Sequence, residues 1–182
     1  SNFLICPSAM VRTAVYRREI QCWRWGLFKY SADLDVWLRI LQRHPIGILP
    51  ESLMRYRISR SQWTARVRLQ TTRADFFLVI DHYLAQGKIR AMVSPQDLKN
   101  YSRLDRRDKV VRAINLFLTD RPKEAKKLCH DIFTLDGIFS AFQSKRGLIT
   151  LFVGLYLKLL IYSGMDKFGK ISLAFLKRVT YK

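Results

Sequence analysis

Acid is what this chain has least of. Against 33 lysines and arginines in 182 residues stand only 14 aspartates and glutamates, a formal net charge of +19. An excess of that size has to be met by phosphate, an anionic membrane surface or an acidic partner, and charge alone does not choose among them. Cysteine is scarce too. Cys6, Cys22 and Cys129 are scattered with no C-x-x-C pair, which argues against a disulfide framework or a zinc site and for reduced thiols in a cytosolic setting. There is no glycine-rich phosphate loop and no His-Glu-x-x-His element. The longest apolar run, residues 148–161, falls short of the roughly 20 residues that cross a bilayer. The opening Ser1-Asn2-Phe3 has neither an initiator methionine nor a signal-peptide core, so the chain reads as a piece of something longer. No internal repeat marks a solenoid.

What is present is apolar material, 49% of the residues, enough for a folded core and too much for disorder. Phe3-Leu4-Ile5-Cys6 before Pro7-Ser8 reads as a buried strand meeting a turn. Residues 9–20, with Arg12, Arg17 and Arg18, read as a short, partly exposed helix. Gly26-Leu27-Phe28 breaks the chain, and a second helix runs to residues 42–44, where Pro45 stops it. His44 there is a polar C-terminal residue near the negative end of the helix dipole. Ile46-Gly47-Ile48-Leu49-Pro50 reads as a short strand and residues 51–58 as a second extended piece. The order strand, helix, helix, strand, strand predicts an α/β remnant, part of a sheet and not a complete one.

Most of the chemistry lies in Ser31-Ala32-Asp33-Leu34-Asp35-Val36-Trp37-Leu38-Arg39-Ile40. Leu34, Leu38 and Leu41 recur at helical spacing and Ser31 stands where an N-cap belongs, which places Asp33 in a first helical turn. A carboxylate there faces unpaired backbone N–H groups and the positive end of the helix dipole, which favour the anion. Asp35 and Arg39, four apart, can pair across one face, and Trp37, four beyond Asp33, stands on the same side as that carboxylate. The plain alternative is a capped amphipathic helix whose tryptophan is core. Asp33-Leu34-Asp35 is not read as a metal-binding pair, because residues two apart on a helix diverge by about 200° and cannot both reach one ion.

The order of parts is more specific than any single part. Pro7-Ser8, Gly26-x-Phe28, Asp33-x-Asp35-x-Trp37-Leu38-Arg39, Pro45-Ile46, Pro50-Glu51 and Tyr56-Arg57 follow one another within residues 2–64. The series resembles the second half of the catalytic domain in family 2 glycosyltransferases, enzymes of the GT-A type with a nucleotide-sugar-binding α/β fold. The resemblance implies that residues 1–63 are the acceptor side of such a domain, without its N-terminal nucleotide-binding half, and that residues 64–182 are a helical extension. In that family an acidic pair, usually Glu-Asp, heads this helix, and its second carboxylate is the catalytic base. The matching position is Asp33; the first acid is Ala32 here. The family's Tyr-Arg-x-His segment stands as Tyr56-Arg57-Ile58-Ser59, with Ser59 in place of the histidine.

The activity so implied is transfer of a sugar from a nucleotide-sugar donor to a glycan or lipid-linked acceptor, with inversion, as in surface polysaccharide synthesis. Trp37 would wall the sugar subsite. Tyr56, Arg57 and Ser59 would meet diphosphate or acceptor, since guanidinium forks fit phosphate oxygens, although Arg57 in a surface salt bridge is the competing account. Ala32, Asp35 and Arg39 would support the site. A divalent cation, Mg or Mn, is expected for the complete enzyme with its ligands mostly in the missing half. These 182 residues by themselves are then expected to transfer nothing.

Beyond Trp63 the pattern turns helical. Residues 64–86 place Val67, Ala74, Phe77, Leu78 and Leu84 on one side, with Gly87 as the stop. Ser94-Pro95 opens a turn. Residues 106–118 and the segment after Asp120-Arg121-Pro122 form a helical hairpin whose stripes are core. The run 148–161 lies in an interface or is buried. After Gly164, residues 166–179 put Lys167, Lys170, Lys177 and Arg178 on one face and Phe168, Ile171, Phe175 and Val179 on an adjoining one, with only Leu173 out of place. That is the pattern of a helix lying on an anionic membrane, and the resemblance, to enzymes that act on lipid-linked or surface acceptors, implies the cytoplasmic, inner face of the plasma membrane. A helix packed on its own domain with a solvated basic rim competes with it. Two other functions fit the composition. A basic helical module binding nucleic acid is weakened by cations dispersed along the chain and aromatics confined to apolar stripes. An adaptor built on the helical half would need no catalysis.

Overall fold

The computed structural model describes residues 8–51, 53–55 and 69–180, with residues 131, 136 and 177–180 by backbone only. Every regular element among them is a helix: α1 (Thr13–Glu19), α2 (Ala32–Leu41), α3 (Asp75–Leu84), α4 (Gly87–Met92), α5 (Pro95–Leu118), α6 (Pro122–Ile132), α7 (Leu135–Phe142), α8 (Lys145–Ser163) and α9 (Asp166–Thr180). This corrects the expected α/β remnant: the fold is all-helical, with no strand among the described residues. Residues 46–49, read as a strand, have no regular structure, and Ile48 and Leu49 are 71% and 63% exposed. A strand is stable only when a neighbour takes up its ladder hydrogen bonds, and a run of four residues between Pro45 and Pro50 finds none here. The extended runs at 3–6 and 56–58 lie outside the described residues.

Packing divides the chain into two units, one grouping Ser1–Ala65 with Asp75–Arg90 and the other Arg66–Ala74 with Ala91–Lys182. In the first, α2 is the central element. Its Ala32 and Leu34 pack with Phe28 and with Val79 and Tyr83 of α3, while Val36 and Ile40 pack with Ile20. One helix therefore serves two apolar clusters through two faces.

Glu19, at the end of α1, is clamped to the far end of α2. Its carboxylate accepts hydrogen bonds from His44 at 3.1 Å, from Arg18 at 3.1 Å and from Arg43 at 2.7 Å. These bonds, that of His44 first, hold its pKa at about 2 instead of 4.5. With the folded value below the unfolded one, the stabilisation is complete above pH 4.5 and disappears as pH falls towards 2. Tryptophan fluorescence reports this, because all four tryptophans precede residue 64. Glu19→Gln is expected to flatten the fall of the urea midpoint across that window; a slope equal to wild type would show that the clamp contributes nothing.

The second unit is built on α5. Ser94 caps it, its hydroxyl accepting the Asp97 N–H at 3.1 Å, and Pro95 fills the first helical position, where a missing N–H costs nothing. The pair read as a turn thus starts a helix of 24 residues. Its Val110, Ala113, Ile114 and Phe117 pack with Ala125, Cys129 and Ile132 of α6, Val153, Leu157 and Leu160 of α8, and Leu173 of α9. Leu173, out of register with the other apolar residues of α9, is the one fully buried among the helix's described apolar side chains. Gly87, read as a helix stop, opens α4 instead and has no positive φ; Gly164 at φ 68° does end α8.

α8 is longer than the apolar run inside it. Its 19 residues are long and apolar enough, by length and composition, to cross a membrane, which corrects the expectation drawn from residues 148–161 alone. Ser144 caps it at the Gly147 N–H, 3.0 Å away, beside a tight corner with α7. A Cβ on Gly147 would stand 2.6 Å from the Ala141 carbonyl oxygen, a backbone atom that cannot turn aside. Gly147→Ala is therefore expected to destabilise the second unit by about 1–3 kcal/mol. Thermal unfolding followed by circular dichroism checks it, and an unchanged midpoint would show that the corner yields.

Candidate functional site

α2 carries two carboxylates two residues apart, and the fold treats them in opposite ways. Asp33 is half-buried in the first turn. Ser31 occupies the N-cap position without capping through its side chain; Asp33 Oδ1 accepts the N–H of Leu34 at 2.8 Å instead. No cation pairs with Asp33 among the described residues.

Asp35 is fully buried. The Tyr83 hydroxyl donates to its Oδ1 at 2.8 Å, and Arg24 Nη1 stands 3.5 Å from the same oxygen. Arg39, one turn along α2, brings Nη2 to 3.2 Å from Oδ2. Burial first, then the bond to Asp35, raises the pKa of the Tyr83 phenol, so that it stays a donor. Arg24 also meets the His82 Nε2 at 3.3 Å, and Arg39 donates to the Cys22 carbonyl at 2.9 Å. The Asp35 cluster thus ties α2 to α3 and to the loop before α2. Arg24 and Tyr83 were not singled out by sequence reasoning, and their separation from Asp35 by 11 and 48 positions leaves no local signal.

Trp37 is half-buried against the cluster of Ile20, Val36 and Ile40. One part of its ring packs on that cluster and the rest is open. The more exposed flat surface is Trp25, 60% exposed and stacked on Trp23 with centroids 5.1 Å apart and planes within 8°. Ala32 is buried and presents no polar group. Tyr56, Arg57 and Ser59 lie outside the described residues.

Three polar atoms of α2 are buried without a hydrogen-bond partner among the described residues: Asp35 Oδ2, Trp37 Nε1 and Arg39 Nε. Asp35 Oδ2 is held by the ion pair with Arg39 at 3.2 Å, and the other two are left without a partner among the described residues. No three His, Cys, Asp or Glu side chains converge among the described residues. Comparison with protein-family models, with curated proteins and with solved structures returns no match.

Proposed function

We propose that the first unit is the acceptor side of a sugar transferase similar to family 2 glycosyltransferases, with Asp33 as general base, working with a nucleotide-sugar-binding segment outside the described residues. The observation that carries this reading is the division between the two carboxylates of α2. Asp35 is locked by two guanidiniums and a phenol, whereas Asp33 is partly exposed and has no cation beside it among the described residues. A base must be an anion within reach of its proton, and only one of the two meets that condition.

In the reaction the acceptor hydroxyl gives its proton to Asp33 as its oxygen bonds to the anomeric carbon. The bond from that carbon to the diphosphate breaks, its electron pair leaving with the nucleoside diphosphate, and attack from the opposite face inverts the centre. Asp35 positions Asp33 by fixing α2 against α3. Trp25 offers the apolar face of a sugar a flat, exposed partner in addition to Trp37. Arg57, through the resemblance, remains the candidate for the diphosphate.

Incubating the complete natural polypeptide with a panel of nucleotide-sugars, a glycan or lipid-linked acceptor and Mg or Mn tests the reading directly. Released nucleoside diphosphate in step with acceptor elongation supports it. No turnover with any donor, in a protein whose circular dichroism is that of a folded chain, would sink it.

A further inference from the structure

The second unit holds a cavity of about 460 Å³ between α6 and α8, lined by Lys123, Lys126, Lys127, His130, Lys158 and Tyr162. None of these four lysines pairs with an acid among the described residues; the lysines that do are Lys109 and Lys170. Two of them rest on aromatic rings, Lys126 Nζ 4.4 Å from the centre of Tyr162 and Lys158 Nζ 5.1 Å from that of Phe133. All four lysines border this hollow with no acid beside them among the described residues, so an anion near its mouth is attracted by each of them. Beneath it Cys129 is buried, and that burial pushes its thiol up to about 11.

A second feature begins where the cavity ends. Tyr162 is also the last member of a row along the outer face of α8, Phe152, Leu155, Leu159 and Tyr162, each between 45% and 64% exposed. Their spacing of three and four residues makes one stripe. The opposite face, with Val153, Leu157 and Leu160, is buried in the core. On α9, which packs on α8, Phe168, Ile171 and Phe175 are exposed at 57%, 76% and 66%.

We propose that the second unit docks on an anionic bilayer, with α8 in the plane of the interface, its outer row among the acyl chains and the lysine cavity holding the phosphate of an anionic headgroup. The proposal is independent of sugar transfer. Lying in the plane fits better than crossing, because crossing would strip the inner face of α8 from α5 and α6 and carry their charged residues with it or leave that core empty. A bilayer fits better than a nucleic acid, which would use the lysines and leave Phe152, Leu155 and Leu159 in water. It is also the partner that supplies phosphate and hydrocarbon side by side.

Co-sedimentation of the full chain with vesicles is the test. Phosphatidylcholine vesicles with about a third phosphatidylglycerol should bind it roughly tenfold or more better than phosphatidylcholine alone. Replacing Lys123, Lys126, Lys127 and Lys158 together by Gln should lower binding to the anionic vesicles about tenfold. Phe152→Ser with Leu159→Ser should also lower it about tenfold, with helical circular dichroism unchanged because both side chains are exposed. Equal binding to the two vesicle types, or unaltered binding in either variant, would overturn the proposal. So would displacement from anionic vesicles by millimolar inorganic phosphate, which would make the hollow a soluble-anion site. Retention on a DNA duplex stronger than on those vesicles would overturn it as well.

Discussion

Asp33→Asn is expected to lower sugar transfer by the complete polypeptide about 10²- to 10⁴-fold, while the urea midpoint of the first unit stays where it was. The amide keeps the shape of the side chain and can still accept the Leu34 N–H that Asp33 accepts at 2.8 Å. It cannot take a proton from a hydroxyl. In barrier height the loss is about 3–5 kcal/mol, at roughly 1.4 for each factor of ten. Because Asp33 is half-buried and has no ion pair among the described residues, little folding energy depends on its charge, and activity and stability should separate cleanly. The measurement is kcat together with KM for donor and acceptor. Loss confined to kcat marks a group acting in the transition state. Turnover near wild type would show that the proton goes elsewhere.

The opposite separation is expected at Asp35. Asp35→Ala should destabilise the first unit by about 3 kcal/mol, at the lower end of the range for breaking a buried ion pair. The lower end applies because the Arg24 side chain is 34% exposed and can turn to water. The Arg39 side chain, only 14% exposed, cannot do so as readily. Tyr83→Phe removes only the hydroxyl that Asp35 accepts, and should cost about 1–2 kcal/mol. The double variant should lose less than the sum, since both changes act on one bond. Urea unfolding followed by tryptophan fluorescence gives all three values. Strict additivity would mean that Tyr83 and Asp35 do not act as a unit.

Local physics made much of this chain legible before any coordinates. α2 spans the expected residues because its apolar spacing, its first-turn acids and Pro45 are all local facts. The pairing of Asp35 with Arg39 follows from their spacing of four. Gly164 ends a helix, and α9 begins at Asp166, as the sequence alone predicts. The helix read across residues 64–86 failed where its signal was weakest: residues 69–74 are not helical and α3 starts only at Asp75.

What needed the tertiary structure was every question about partners. Residues 46–49 have a strand's composition, but a strand exists only if another segment takes up its backbone hydrogen bonds, and composition carries no information on that. Asp33 and Asp35 look alike in sequence; Arg24 and Tyr83, brought in from 11 and 48 positions away, decide which one is buried. On α9 the larger apolar set, Phe168, Ile171 and Phe175, was left outside and Leu173 taken into the core, because the neighbours on α5, α6 and α8 set the buried face. The excess of positive charge was readable from composition. That four of the lysines surround one hollow was not, since helix packing brings α6 and α8 together across residues that no local rule connects.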